Sequence, residues 1–139
     1  MNQAPESGDT QKRLAAGDWH AAIAAARALL ASDPADANGL LMLAEGLLGA
    51  RQPERALSAL ERLPPREQGN ARRLMLEGRA RNNLGDLKAA ETAFRRLLQV
   101  EPDNADAHSN LGHVLRGLLR SQDAEQHLRR AIEIEPEHC

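Results

Sequence analysis

Histidine and cysteine are the side chains of this 139-residue sequence best suited to catalysis or metal binding, and it contains five histidines and one cysteine. His108 and His113 are five residues apart, which places them about 140° apart around a helix, so they cannot share a metal ion as an i, i+4 pair can. His127 lies outside their helix, and Cys139 has no base fixed near it by the sequence. We therefore predict no metal site, no cofactor and no catalytic residue.

The glycines also lack the arrangement that phosphate-binding and hydrolase motifs require. Gly46-Leu47-Leu48-Gly49 falls within helical periodicity, without a preceding strand or a following Lys-Ser/Thr pair. The sequence has no Gly-x-Ser-x-Gly elbow. These patterns predict that the chain is not an enzyme.

Composition favours a helical protein without strong electrostatic attraction to nucleic acid or to anionic membranes. Leucine and alanine dominate the 42% hydrophobic fraction, with one Trp, one Phe and no Tyr, and the net charge is −2. A single cysteine excludes an intrachain disulfide, and there is no apolar leader or run long enough to span a bilayer. We expect a cytoplasmic protein with no nucleic-acid or membrane partner, and a disordered segment at residues 1–8.

The elements that position any site follow from a 34-residue period. Three columns show it: the alanines Ala22, Ala56, Ala90 and Ala124, the acids Asp33, Glu67, Glu101 and Glu135, and the helix-capping residues Asp36, Asn70 and Asn104. We predict that the alanines allow close helix packing, that Phe94 is a core residue, and that Pro64-Pro65 ends one helix a turn early.

This period resembles that of the tetratricopeptide repeat family. The resemblance is strongest over 105–136, with Leu111-Gly112, Ala124 and Pro136 at motif positions, although Leu40, Leu74 and His108 replace the usual tryptophan. It implies an all-α fold, a right-handed α-solenoid of stacked antiparallel helix pairs. We expect one domain over 9–138, with repeats at about 3–36, 37–70, 71–104 and 105–138.

The resemblance also implies that the first helices of successive repeats line a concave groove that binds a peptide. The implied contact residues are Asn38, Met42, Glu45, Arg72, Met75, Arg79, Asn82, Asn83, Ser109, Asn110, His113 and Arg116. Arg79, Asn83 and Asn110 imitate part of the family's carboxylate clamp, but the closing pair would fall in a further repeat. We therefore expect a protein or peptide partner that carries a carboxylate, and we do not predict chaperone binding.

Two alternatives concern the C-terminal end. Leu128, Ile132 and Ile134 give the last helix an apolar face that a following repeat or capping helix normally covers. One interpretation is an N-terminal assembly or regulatory module of a larger bacterial enzyme, such as a transferase. The other is self-association through this uncapped end.

Overall fold

The computed structural model describes residues 18–136, and within this range the chain is helical with no strand. The predicted disorder at residues 1–8 lies outside the described residues. The helices are α1 (Trp19–Ser32), α2 (Ala37–Gly49), α3 (Pro53–Glu61), α4 (Ala71–Asn83), α5 (Leu87–Val100), α6 (Ala105–Gly117) and α7 (Ser121–Ile134). The all-α helical-repeat solenoid implied by the family resemblance is confirmed.

The predicted capping residues begin α2, α4 and α6, the first helices of the last three repeats. Asp36 Oδ1 accepts a hydrogen bond from the Asn38 N–H at 3.2 Å, and Asn70 Oδ1 accepts one from the Arg72 N–H at 2.9 Å. Asn104 Oδ1 accepts one from the backbone of α6, also at 2.9 Å. Each oxygen satisfies an N–H that has no partner within the helix, and so fixes where that helix starts.

The alanine column lies at the tightest positions of the second helices. Ala22, Ala56 and Ala90 are completely buried, and Ala124 is 2% exposed. Only a small side chain leaves the neighbouring helix room to approach this closely.

A second column places a small residue on α4 and α6 against a large residue on the following helix. In α4 a Cβ added to Gly78 would lie 2.5 Å from Cε1 of Phe94, and in α6 one added to Gly112 would lie 2.7 Å from Cγ of Leu128. Phe94 is completely buried, which confirms its predicted role in the core. The glycines are therefore required where a bulky side chain crosses the helix backbone.

The predicted irregularity at Pro64-Pro65 is confirmed. Helix α3 has nine residues, whereas α1, α5 and α7 have 14 each, and a short 3-10 turn follows at Pro65–Glu67. Just after this turn the backbone contacts divide the chain into two compact units. We call the part up to Gln68 unit 1 and the part from Gly69 unit 2.

The turns between paired helices use the left-handed backbone region at equivalent positions. Arg51 and Leu119 both have φ of 63°, and Gly85, which lies 34 residues from each of them, has φ of 81°. A side chain makes this conformation costly, so the two non-glycine turns are strained relative to the glycine turn.

Candidate peptide-binding surface

The predicted contact residues of unit 1 lie on α2 and differ in their accessibility. Asn38 is exposed and Glu45 is half-buried, whereas Met42 is 2% exposed. Met42 is thus a packing residue of unit 1 in this structure, and Asn38 and Glu45 provide the polar groups of this helix.

The predicted contact residues of unit 2 lie on α4 and α6, which the structure brings together. The Nδ2 group of Asn110 on α6 donates a hydrogen bond to Sδ of Met75 on α4 at 3.3 Å. Both side chains are half-buried. The other predicted contact residues of α4 and α6 are the half-buried Arg72, Arg79 and Ser109 and the exposed Asn82, Asn83, His113 and Arg116. We call the residues named in this paragraph the first-helix surface.

The first-helix surface carries positive charge that the surrounding acids do not fully neutralise. Within residues 18–136, neither Arg79 nor Arg116 forms an ion pair. By contrast, Arg73 of the same helix α4 lies 3.2 Å from the carboxylate of Glu77. The surface therefore combines three guanidinium groups, three asparagine amides and one polarisable thioether.

Unit 2 also contains a histidine pair that the sequence analysis did not bring together. Nδ1 of His108 on α6 lies 3.1 Å from Nδ1 of His127 on α7, and Nε2 of His108 lies 2.8 Å from the carbonyl oxygen of Pro102. A carbonyl oxygen only accepts, so Nε2 of His108 carries a proton. One of the two facing Nδ1 atoms carries a further proton, which forms the hydrogen bond between the rings.

The geometry of this pair suits a shared proton better than a metal ion. The ring centroids are 5.3 Å apart, and the two Nδ1 atoms are 3.1 Å apart. The difference is about two ring radii, so both nitrogens lie near the line that joins the ring centres. Two ligands of one zinc ion must instead converge on a point to the side of that line. The described residues also contain no group of three potential metal ligands.

The environment of His127 opposes its protonation. Burial lowers the pKa of His127, and the positive charges that His108 and Arg95 can carry lower it further, while Asp123 acts in the opposite direction. These effects favour the neutral form of His127, and its contact with His108 joins α6 to α7.

Comparison with protein families settles the classification. Two family models described as tetratricopeptide repeat match residues 13–80 and 75–138, which together span nearly the whole chain. The chain belongs to the tetratricopeptide repeat family. As in that family generally, its fold is a scaffold for protein–protein interaction.

Two characterised relatives are similar to this chain over part of their length. A mouse FK506-binding protein-like protein is 40% identical over 79 residues, which are 56% of this chain and 22% of that protein. Cellulose synthase operon protein C of Pseudomonas fluorescens is 33% identical over 86 residues, or 56% of this chain and 7% of that protein. The chain thus spans about a fifth or less of these relatives.

Solved structures agree with the fold over most of the chain. A crystal structure of MamA has a TM-score of 0.78 with 26% identity, covering 95% of this chain and 76% of that one. The tetratricopeptide repeat protein TTC0263 of Thermus thermophilus has a TM-score of 0.80 with 22% identity, covering 93% and 72%. Among residues 18–136, no helix has the length and apolarity needed to cross a membrane.

Proposed function

We propose that the chain is a non-catalytic binding module whose first-helix surface binds an extended peptide segment carrying a carboxylate. The observation that carries the proposal is the contact between Met75 and Asn110, because it joins α4 and α6 into one surface beside Arg79 and Arg116. These arginines form no ion pair within residues 18–136 and so remain available to an acidic group.

Each residue type on this surface suits one part of such a peptide. The amides of Asn83 and Asn110 offer both donors and acceptors, which match the N–H and C=O groups of an extended backbone. A guanidinium group can bind a carboxylate through two parallel hydrogen bonds. Met75 adds a flexible thioether that adapts to different side chains.

The proposal can be tested without knowing the natural partner. The purified chain is applied to an array of random peptides with free C-terminal carboxylates, and to the same peptides ending in carboxamides. The tightest binder is then titrated against a triple variant, Arg79→Ala, Asn83→Ala and Asn110→Ala.

A matched control removes one arginine and two amides from the exposed faces of the second helices: Arg96→Ala, Gln99→Ala and Gln126→Ala. We expect the triple variant to weaken binding at least tenfold and the control to leave it unchanged. Equal affinities for the two variants, or equal binding of carboxylate and carboxamide peptides, would reject this surface as the site.

A second candidate function is an assembly or regulatory module within a longer protein, such as a bacterial transferase. The observation in its favour is the much greater length of the relatives, of which this chain spans 22% and 7%. Sequencing the natural reading frame around this segment tests it, since a catalytic domain in the same frame supports the candidate and a frame limited to these repeats rejects it.

A further inference from the structure

Unit 1 contains a cleft lined by α1, α2 and α3 that is separate from the α2 residues considered above. Its volume is about 420 Å³, and its apolar floor includes the buried side chains of Leu43 and Leu47. Leu47 lies nine residues after Asn38, which is about half a turn around α2. The cleft therefore opens on a different face of α2 from Asn38.

Three arginines surround this floor, and the lining contains no acidic residue. Arg27 is on α1, Arg55 is on α3, and Arg62 follows the C-terminal end of α3; all three are exposed. Within residues 18–136 none of them forms an ion pair. Three like charges around one depression repel one another, so binding of an anionic group there is favoured.

Two of these guanidinium groups are held in place by neutral partners. Arg62 Nη2 donates to the carbonyl oxygen of Pro34 at 3.0 Å, which links the end of α3 to the turn between α1 and α2. Arg55 Nη1 donates to Oε1 of Gln52. Because neutral acceptors leave the positive charge uncompensated, these bonds position the guanidinium groups without preventing them from binding an anion.

We propose that this cleft binds an acidic amphipathic peptide, with one apolar side chain seated over Leu43 and Leu47 and flanking carboxylates on the arginines. The volume lies in the lower part of the roughly 300–1,000 Å³ range of ligand pockets and so suits one or two large side chains. The apolar floor favours a peptide over a free phosphate. The net charge of −2 gives no general attraction to nucleic acid.

The test uses the full chain and a fluorescein-labelled hexapeptide, EDLFDE, blocked at both ends. The probe has no free terminal carboxylate, and it is also titrated against the variant Arg79→Ala, Asn83→Ala and Asn110→Ala, whose unchanged affinity separates the cleft from the surface proposed for unit 2. Fluorescence polarisation is measured for the unaltered chain and for the double variant Arg27→Gln and Arg55→Gln. The matched control, Arg51→Gln and Arg66→Gln, removes two exposed arginines of unit 1 that do not line the cleft.

We expect the cleft variant to weaken binding at least tenfold and the control to change it less than twofold. An additional variant, Ser58→Trp, should abolish binding by filling the cleft while it keeps all three charges, since Ser58 is an exposed lining residue. Circular dichroism verifies that each variant is folded.

Four results would overturn the proposal. The first two are that EDLFDE shows no saturable binding and that the neutral peptide NQLFNQ binds as tightly as EDLFDE. The third is that the cleft variant and the control variant have equal affinities for EDLFDE. The fourth is that a single-stranded oligonucleotide or anionic vesicles bind through these arginines in preference to the peptide. The last result would assign the cleft to phosphate groups.

Discussion

Replacing Gly78 with alanine should destabilise unit 2, although alanine is the better helix former. The new Cβ would lie 2.5 Å from Cε1 and 2.6 Å from Cζ of Phe94, a ring that is completely buried. Overpacking of this kind costs about 1–3 kcal/mol. Alanine returns about 1 kcal/mol in helix propensity, so we expect a net loss of up to about 2 kcal/mol.

The preceding repeat shows how this cost can be removed. Its equivalent positions, 34 residues earlier, are Ala44 and Leu60, which are 0% and 1% exposed. That repeat accommodates alanine and leucine together at these two positions, whereas in the last repeat a Cβ on Gly112 would still lie 2.7 Å from Leu128. Phe94→Leu alone should cost about 1–2 kcal/mol because it leaves unfilled space beside Gly78.

The double variant Gly78→Ala and Phe94→Leu should then be more stable than the sum of the single changes predicts. We expect a favourable coupling of about 1 kcal/mol, measured by urea unfolding of all four proteins followed by circular dichroism. A Gly78→Ala protein that is more stable than the unaltered chain, or a coupling of zero, would refute this account of the packing.

Three further predictions concern unit 2. The free energy of unfolding should fall as the pH drops below about 6.5. Burial and neighbouring positive charge lower the pKa of His127 in the folded state, so the unfolded state binds the extra proton more readily. His127→Gln should flatten this part of the plot of stability against pH. Leu119→Gly should raise the melting temperature, with a gain of up to about 1 kcal/mol, because Leu119 has φ of 63° and is 89% exposed; an unchanged melting temperature would contradict this. Glu91→Gln should destabilise the protein by about 1 kcal/mol in urea unfolding, and less at high salt, because the Glu91 carboxylate lies 2.8 Å from both Arg95 and Arg120.

The pKa of Glu91 supports the last prediction. Burial raises it, but hydrogen bonds and charge from Arg95 and Arg120 together lower it below its usual value. A carboxylate with a lowered pKa stabilises the fold above its unfolded-state pKa, and this contribution is lost as the pH falls through the folded-state value. The effect of Glu91→Gln should therefore shrink in acid.

Features that depend on spacing along the chain could be predicted from the sequence. The caps Asp36, Asn70 and Asn104 act on backbone groups two or three residues away, and the buried alanines recur with the repeat. Both are fixed by local geometry or by the period, so the fold followed from them.

The histidine pair was missed because its members lie 19 residues apart on two helices. A signal was nevertheless present. One repeat earlier, the equivalents of His108 and His127 are Leu74 and Ala93, which are 1% and 2% exposed. Two histidines that replace core residues in neighbouring columns indicate a buried pair.

The arginine cleft had no comparable signal. Arg27, Arg55 and Arg62 do not occupy a common repeat column, and each alone is typical of a solvated helix face. Only the packing of α1 and α3 beside α2 shows that they surround one depression. The groove residues inferred from the family resemblance stay a prediction until binding is measured.

The most direct test of the proposed function is a nuclear magnetic resonance titration of the isotope-labelled chain with the tightest carboxylate peptide from the array. The account predicts that the largest backbone amide shifts fall on α4 and α6, centred on Met75, Arg79 and Asn110. Shifts confined to α5 and α7, with those three residues unaffected, would contradict it.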